Sequence, residues 1–179
     1  MSIRMNNISH TRQSKAIVPR KYRGDTMIEV LVTVLILAVG VLGVAAMQVT
    51  TLKNLNSSYS TGIAAIVTDD FVERMRANAT AALADTYIHS AAPTGTTDCV
   101  GSVCDATQMA SYDMEAWWAS LAATLPLATG QVTRVGGTNT FIVTVRWDDD
   151  RSGSTGTNCP VQSSADRECY QFRVTVAVI

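Results

Sequence analysis

Four cysteines are the residues of this 179-residue chain whose type and spacing most directly suggest covalent chemistry. Cys99, Cys104, Cys159 and Cys169 form an even set, which suits two disulfides in an oxidising compartment. Three connectivities would use all four thiols. We favour Cys99–Cys104 and Cys159–Cys169, because each pair closes a short loop bounded by irregular sequence. Zinc is the weaker interpretation, since neither spacing is C-x₂-C and His89 is the only histidine after residue 24.

An acidic run, Asp148-Asp149-Asp150, is the second candidate, because it begins like the D-x-[DN]-x-[DN]-G calcium loop of EF-hands. Ser152 departs from that pattern, and Cys159 occupies the position of the bidentate glutamate. The pattern also requires flanking helices, whereas a strand is predicted before the run. We therefore predict a solvated acidic loop, with a non-EF calcium site as the alternative, and assign no metal ligand and no cofactor.

Motifs of common enzyme classes are missing from the sequence, which contains no phosphate-binding loop, no nucleophile elbow and no H-E-x-x-H. A Ser-His-Asp or Cys-His enzyme would have to use His89, which lies in a predicted loop without a supporting motif. We expect a protein that is not an enzyme, and we assign no catalytic residue.

Glu29 is the third candidate, because it stands at the start of an apolar run. The 23 residues from Val30 to Leu52 carry no charge. A carboxylate in a lipid-facing helix costs about 2.5–3.5 kcal/mol at the bilayer centre and less near its edge, so such residues are usually paired and functional. The local alternative is a capping box, Thr26-x-x-Glu29, in which Glu29 accepts from an unpaired backbone amide.

Charge is distributed very unevenly along the chain. The formal net charge is −1, but residues 1–24 contain six basic residues and no acid, and the remainder has a net charge of −7. Only 16% of the residues are charged and 47% are hydrophobic. This composition excludes a polybasic nucleic-acid binder, a collagen-like chain and a largely disordered one. Since only one stretch could span a bilayer, it also excludes a multi-pass membrane protein.

The apolar run would position everything that follows it. As a helix, Val30 to Leu52 measures about 35 Å and can cross a hydrocarbon core of about 30 Å. The basic end should stay in the cytoplasm, so the rest of the chain is exported.

One long helix is predicted from about Thr26 to about Asn78, since no proline interrupts it and its second half is amphipathic. Gly40 and Gly43 are its expected weak points. The apolar positions expected to cover a soluble domain are Leu52, Leu55, Tyr59, Ile63, Ile66, Val67, Phe71, Met75, Ala79 and Leu83.

A second helix is predicted from Gln108 to about Thr124, capped by Thr107 and stopped by Pro126. It carries Trp117 and Trp118, of which only one can point fully into a core.

After Gly130, apolar and polar residues alternate with a period of two. This alternation indicates strands at Gln131–Val135, at Thr140–Trp147 and in the last ten residues. Each of the last two has one apolar face, as an antiparallel sheet packed on a helix requires. We predict an α+β fold, in which a long N-terminal helix packs on an antiparallel sheet of three to four strands. The expected segments are a leader at 1–24, a transmembrane and assembly helix at 25–52, and a globular domain at 53–179.

The segment Arg23-Gly24-Asp25-Thr26-Met27-Ile28-Glu29 resembles the class III signal of type IV prepilins, a basic leader that ends in glycine before an apolar helix. Glu29 is the fifth residue after Gly24, as in that signal. The segment from Ala64 to Asn78 and the strand end Thr144 to Asp149 are similar to V-type minor pilins, also called pilus modification proteins. The resemblance touches most of the chain except residues 86–106 and 150–168.

This resemblance implies roles for three residues. Gly24 would precede the cut made by a membrane aspartyl prepilin peptidase, and Asp25 would become the N-terminus that the same enzyme methylates. The family usually has phenylalanine where this chain has Asp25. Glu29 would pair with the α-amine of a neighbouring subunit, a role that we favour over the capping box. Many major pilins have a helix-breaking proline where this chain has Ala46.

The function implied is that of a minor pilin, inserted in the inner membrane with a periplasmic C-terminal domain and later part of the extracellular pilus. Its partners would be the prepilin peptidase, other minor pilins and the major pilin, in a priming complex that starts or tips the pilus. One alternative is a pseudopilin of a type II secretion system. Another is an exported adhesive or ligand-binding domain, cut by a general signal peptidase after Ala45. The acidic soluble part argues against a nucleic-acid partner.

Overall fold

The computed structural model describes residues 25–95 and 97–177. Three helices precede three strands: α1 (Asp25–Ala77), α2 (Ala79–Leu83), α3 (Ala106–Thr124), β1 (Thr129–Arg134), β2 (Thr140–Trp147) and β3 (Glu168–Thr175). The chain divides into two compact units, one up to Met47 and the other from Gln48 onward. The segments predicted as strands are all strands, although β1 begins two residues earlier than expected and β3 ends at Thr175.

A single helix of 53 residues, α1, forms the N-terminal third of the described structure. It continues without a break through Gly40, Gly43 and Ala46. A Cβ added at Gly40 or Gly43 would have no atom within 4 Å. Contacts inside this chain therefore do not require glycine at either position. The predicted bounds of this helix agree with α1 to within one residue at each end.

The buried face of α1 agrees in part with the apolar periodicity, because Phe71 and Met75 are buried and Ile63 and Val67 pack against the core. Leu52, Leu55, Tyr59 and Ile66 are each more than 60% exposed, so assigning these four to the core was wrong. Burial instead starts at Ser60 and follows small and apolar side chains, namely Ser60, Ala64, Thr68, Phe71, Val72 and Met75. The buried face therefore combines large apolar side chains with small ones that the apolar periodicity did not mark, Ser60, Ala64 and Thr68.

The sheet is antiparallel, with strand order β1-β2-β3. Val143 in the central strand lies opposite Val132 on one side and Phe172 on the other. At the β1 edge, His89 and Val132 exchange two backbone hydrogen bonds, which add an isolated bridge to the three strands. The core lies between the apolar face of this sheet, α3 and the buried face of α1, as the α+β prediction requires.

α3 begins earlier than predicted and has a different N-cap. The side chain of Asp105 accepts from Gln108 N at 2.8 Å, and Gln108 Oε1 accepts from Asp105 N at 3.0 Å. This reciprocal capping box starts α3 at Ala106, so the prediction of Thr107 as the cap was wrong. Of the two tryptophans, Trp117 is 3% exposed and Trp118 is half buried, as their adjacent helical positions require.

Candidate functional site

The apolar segment of α1, defined as residues 26–52, presents its side chains outward. Every residue in it is exposed, including Leu31, Leu35 and Leu42 at 64–70%. An 18-residue window within α1 has a mean hydropathy of 2.8, none of it buried, so the helix is long and apolar enough to cross a membrane. Such a surface needs either lipid or other apolar helices around it.

Glu29 lies in the second turn of α1 and is exposed. Its carboxylate makes no hydrogen bond or ion pair with any residue that the structure describes. Thr26 lies within α1 rather than at its N-cap, and no hydrogen bond joins it to Glu29. The local capping alternative is therefore not formed here, and Glu29 is left as the one charged side chain of the apolar segment.

The two residues that flank the expected cut are only partly described. Gly24 and the rest of the predicted leader lie outside the described residues. Asp25 is the first residue of α1. A cut before it would leave the new N-terminus at the start of the helix, where a free amine replaces the preceding peptide.

The four cysteines are brought together in two disulfides, Cys99–Cys104 and Cys159–Cys169, with Cα–Cα distances of 5.4 and 5.9 Å. The first closes a loop before α3, and its two valines, Val100 and Val103, are almost fully exposed. The second ties the β2–β3 connection to β3. These pairs correspond to the connectivity preferred from loop length.

Two buried carboxylates organise the β2–β3 connection. Asp148 accepts from the backbone amides of Ser152 and Gly153, at 3.2 and 2.8 Å. Asp166 accepts from the side chain of Asn158 and from the backbone amides of Gln162 and Ser163. Because these oxygens are already occupied by N–H donors, both carboxylates serve as loop-forming groups. Within residues 25–95 and 97–177, no cluster of three or more His, Cys, Asp or Glu side chains is arranged to hold a metal ion.

The ionisation of Asp166 reflects these bonds. Burial by itself would raise its pKa, but the hydrogen bonds from Asn158, Gln162 and Ser163 favour the charged form and together lower the pKa below 3.8. The loop is thus built around a negative charge.

A buried polar cluster was missed by the sequence reasoning. Tyr87 donates its hydroxyl to Asp113 Oδ2 at 2.6 Å, Arg74 Nη1 lies 3.6 Å from Asp113 Oδ1, and Asn78 donates to Ala106 O at 2.7 Å. Burial, followed by the bond to Asp113, raises the pKa of Tyr87 far above its usual range. The signal that could have found the cluster is Asp113, an acid at a core-facing position of an otherwise apolar helix face.

Comparisons with known families agree with the N-terminal pattern. Residues 19–45 match the family described as the prokaryotic N-terminal methylation motif. Residues 46–115 match the family described as type IV pilin Tt1218. No curated protein and no solved structure is significantly similar to the chain.

The two family matches adjoin and together cover more than half of the 179 residues. They span the apolar segment, the buried face of α1 and the start of α3, and they end before the sheet. This family is in general structural and non-enzymatic. Residues 46–115 are therefore similar to the type IV pilin family, and residues 19–45 carry a prepilin N-terminal methylation motif.

Proposed function

We propose that this pilin is a minor subunit of a type IV pilus, cut between Gly24 and Asp25 and built into the fibre through α1. The observation that carries the proposal is the apolar segment of α1, whose side chains are exposed around one unpaired carboxylate. In a bilayer the segment is covered by lipid, and in a fibre it is covered by the helices of other subunits. The same surface therefore serves as membrane anchor first and assembly element later.

The topology follows from the charge distribution. Six basic residues precede the apolar segment and hold the leader in the cytoplasm. The unit from Gln48 onward is then periplasmic, and its two disulfides suit that oxidising compartment. The segments Ala64–Asn78 and Thr144–Asp149 resemble V-type minor pilins. This resemblance supports a place in a priming complex that starts or tips the pilus.

Glu29 takes the role of an intersubunit partner in this proposal. A carboxylate and an α-amine attract each other more strongly in a dry helical core than in water, because the local dielectric is low. The N-terminal amine of a neighbouring subunit would satisfy Glu29 only in the fibre. Insertion into the growing pilus is thereby favoured over retention in the membrane.

Determination of the N-terminus of the mature protein tests the processing step. We expect mass spectrometry of the protein from sheared pili to give Asp25 as its first residue, and Gly24→Val to leave an uncut, membrane-bound precursor. A mature chain that begins at Ala46 would refute the proposal and indicate a general signal peptidase.

Substitutions at Glu29 test the assembly step and separate it from helix capping. Glu29→Gln removes the negative charge but keeps a side chain that can form a capping box. Glu29→Ala removes both the charge and the capping group. We expect both variants to be processed normally and both to be depleted from sheared pili. Normal incorporation of Glu29→Gln alongside loss of Glu29→Ala would assign the residue to capping. Asp69→Ala, which removes an exposed carboxylate from α1 beyond the apolar segment, is the matched control.

The minor role is tested by stoichiometry. Quantitative mass spectrometry of sheared pili should find this chain far less abundant than the major pilin, and its deletion should reduce the number of fibres. Recovery only from a secretion-system complex, with fibre number unchanged, would favour the pseudopilin alternative.

A further inference from the structure

The sheet has an outward face that is polar and contains basic residues. Side chains on this face alternate with the core residues of each strand. In β2 they are Ile142, Thr144 and Arg146, and Arg173 of β3 lies opposite Ile142. The strand residues on this face include no acid, although the chain from Asp25 onward has a net charge of −7. The charge of this face is thus opposite to that of the subunit.

Two half-buried arginines meet at one end of this face. Arg146 and Thr129 are directly opposite in β2 and β1. Arg167, which precedes β3, donates from Nη1 to the hydroxyl of that same Thr129 at 3.3 Å. Arg167 therefore contacts the residue that faces Arg146 across the strand pair.

Neutral acceptors hold both groups in place. Arg146 donates to Thr157 O at 2.9 Å and to Gln131 Oε1 at 3.1 Å. Arg167 also donates from Nε to Ser154 O at 3.0 Å. These bonds fix the orientation of each side chain and leave Nη1 of Arg146 and Nη2 of Arg167 without a hydrogen-bond acceptor among the described residues. Both side chains are thus held in place, and each keeps one N–H group available to a further acceptor.

The positive charges are not compensated within the described part of the chain. Neither Arg146 nor Arg167 has a carboxylate oxygen within 4.0 Å, in contrast to Arg74, Arg76 and Arg134. Burial, and then the charge of Arg167, lower the pKa of Arg146. Two like charges held together in a partly desolvated place are unfavourable unless an anion joins them.

We propose that Arg146 and Arg167 form a docking point for exposed carboxylates on a neighbouring pilin subunit. This inference rests on the proposed function, which supplies a fibre in which such neighbours exist. The planar guanidinium fork suits a carboxylate, which can accept from two N–H groups at once. Contact between a basic patch on one subunit and an acidic patch on the next is heterologous, the kind of contact that extends a fibre instead of closing a dimer.

The surroundings favour protein carboxylates over a nucleic acid. Arg167 also borders an acidic cavity of about 180 Å³, lined by Asp148, Asp149, Asp150 and Glu168 among others. A long polyanion laid across this region would be repelled by these residues. One carboxylate can reach the arginine pair alone without covering the cavity.

A binding titration tests the proposal on the full mature chain in nonionic detergent. The probe is an end-blocked Gly-Glu-Gly peptide, which carries a single carboxylate, with inorganic phosphate and a single-stranded oligonucleotide as comparison anions, at low salt. We expect Arg146→Gln and Arg167→Gln each to weaken peptide binding by about tenfold. Arg146→Lys, which keeps the charge but not the fork, should weaken it less. Arg173→Gln is the matched control, because it removes an exposed arginine from the same face, and it should change binding by less than about twofold.

Equal losses with Arg173→Gln would show general charge attraction and overturn the proposal. Tighter binding of the oligonucleotide or of phosphate at the same two arginines would overturn it in favour of a phosphate site. If the wild type does not bind the peptide, the docking point is refuted. The pilin function still stands in that case, provided that the mature chain begins at Asp25 and needs Glu29 for incorporation. A mature N-terminus elsewhere would refute the pilin function first.

Discussion

Individual side chains of this pilin tie together elements that are far apart in the sequence. Asp113 on α3 accepts from Tyr87 in the loop after α2 and lies within ion-pair distance of Arg74 on α1. Arg74 is itself held by Asp70 one turn earlier, and this bond is the main reason that the pKa of Arg74 is raised. Asp113 is 4% exposed, so it joins three elements at a point that water does not reach.

We expect Asp113→Ala to lower the free energy of unfolding by about 2–4 kcal/mol, because it leaves the hydroxyl of Tyr87 buried without an acceptor. The Arg74 contact contributes little to this figure, since that side chain is 41% exposed. Urea unfolding followed by tryptophan fluorescence measures the change. Asp69→Ala, at an exposed position of α1, should alter stability by less than about 0.5 kcal/mol. Equal effects of the two substitutions would show that the buried cluster is not stabilising.

Asp166 should make stability depend on pH in the acid range. Its pKa in the folded protein is below the ordinary value of 3.8, so its contribution is fully present above that value and is lost as the pH falls through the folded pKa. Thermal unfolding of the wild type and of Asp166→Asn should therefore differ at pH 6 and converge towards pH 3. A difference that grows on acidification would contradict the assigned role of the carboxylate.

At the scale of elements, sheet and helices pack closely where β1 passes the aromatic side chains of the core. Trp117 on α3 stacks on Phe71 of α1, with ring centroids 4.3 Å apart and planes 13° from parallel. A Cβ built on Gly130 would lie 2.5 Å from the Trp117 ring. The strand can pass this ring only because residue 130 has no side chain, so a glycine in β1 fixes how closely sheet and helices pack.

We expect Gly130→Ala to destabilise the protein by about 1–3 kcal/mol, since Trp117 is clamped by Phe71 and cannot move aside cheaply. Gly136→Ala is the matched control, because no atom lies within 4 Å of the added Cβ at that position. Denaturant midpoints of the two variants provide the comparison. A Gly130→Ala protein as stable as the wild type would mean that the ring yields to the new methyl group.

On the scale of the whole molecule, the net charge of −1 is that of the full sequence. The proposed removal of residues 1–24 would take away six positive charges and leave a subunit with a net charge of −7. An acidic subunit repels its copies unless specific contacts offset the repulsion. Glu29 in the helical core and the Arg146–Arg167 pair on the sheet are the two contacts proposed to do so.

Processing should therefore change the isoelectric point measurably. The precursor has a sequence pI of about 6.1. We expect the mature form to focus lower by roughly one to two pH units, because it retains 8 basic and 15 acidic residues. Gly24→Val, which blocks the cut, should keep the precursor value. A mature form that focuses with the precursor would show that the basic leader is retained.

Elements with long, regular patterns could be predicted from the sequence. The bounds of α1 and the strand Thr140–Trp147 needed only the apolar run, the absence of proline and the period-two alternation. Local chemistry was harder: Thr107 was chosen as a cap although Asp105 and Gln108 form the reciprocal box. Both residue types suit a cap, but Asp105 has a glutamine three residues later and Thr107 has Ala110 there, so the capping-box spacing in the sequence already favoured Asp105.

Sequence by itself determined the apolar segment, the charge division and the prepilin motif, because these depend on residue order along a single segment. Only the tertiary structure decided which face of α1 is buried, since Ser60, Ala64 and Thr68 enter the core while Leu52, Leu55 and Tyr59 stay outside. It likewise decided that Tyr87 bonds to Asp113 and that Arg167 bonds to Thr129, the strand partner of Arg146. Such pairs form between distant segments, and their contacts depend on strand register and close packing, which no local pattern in the chain records.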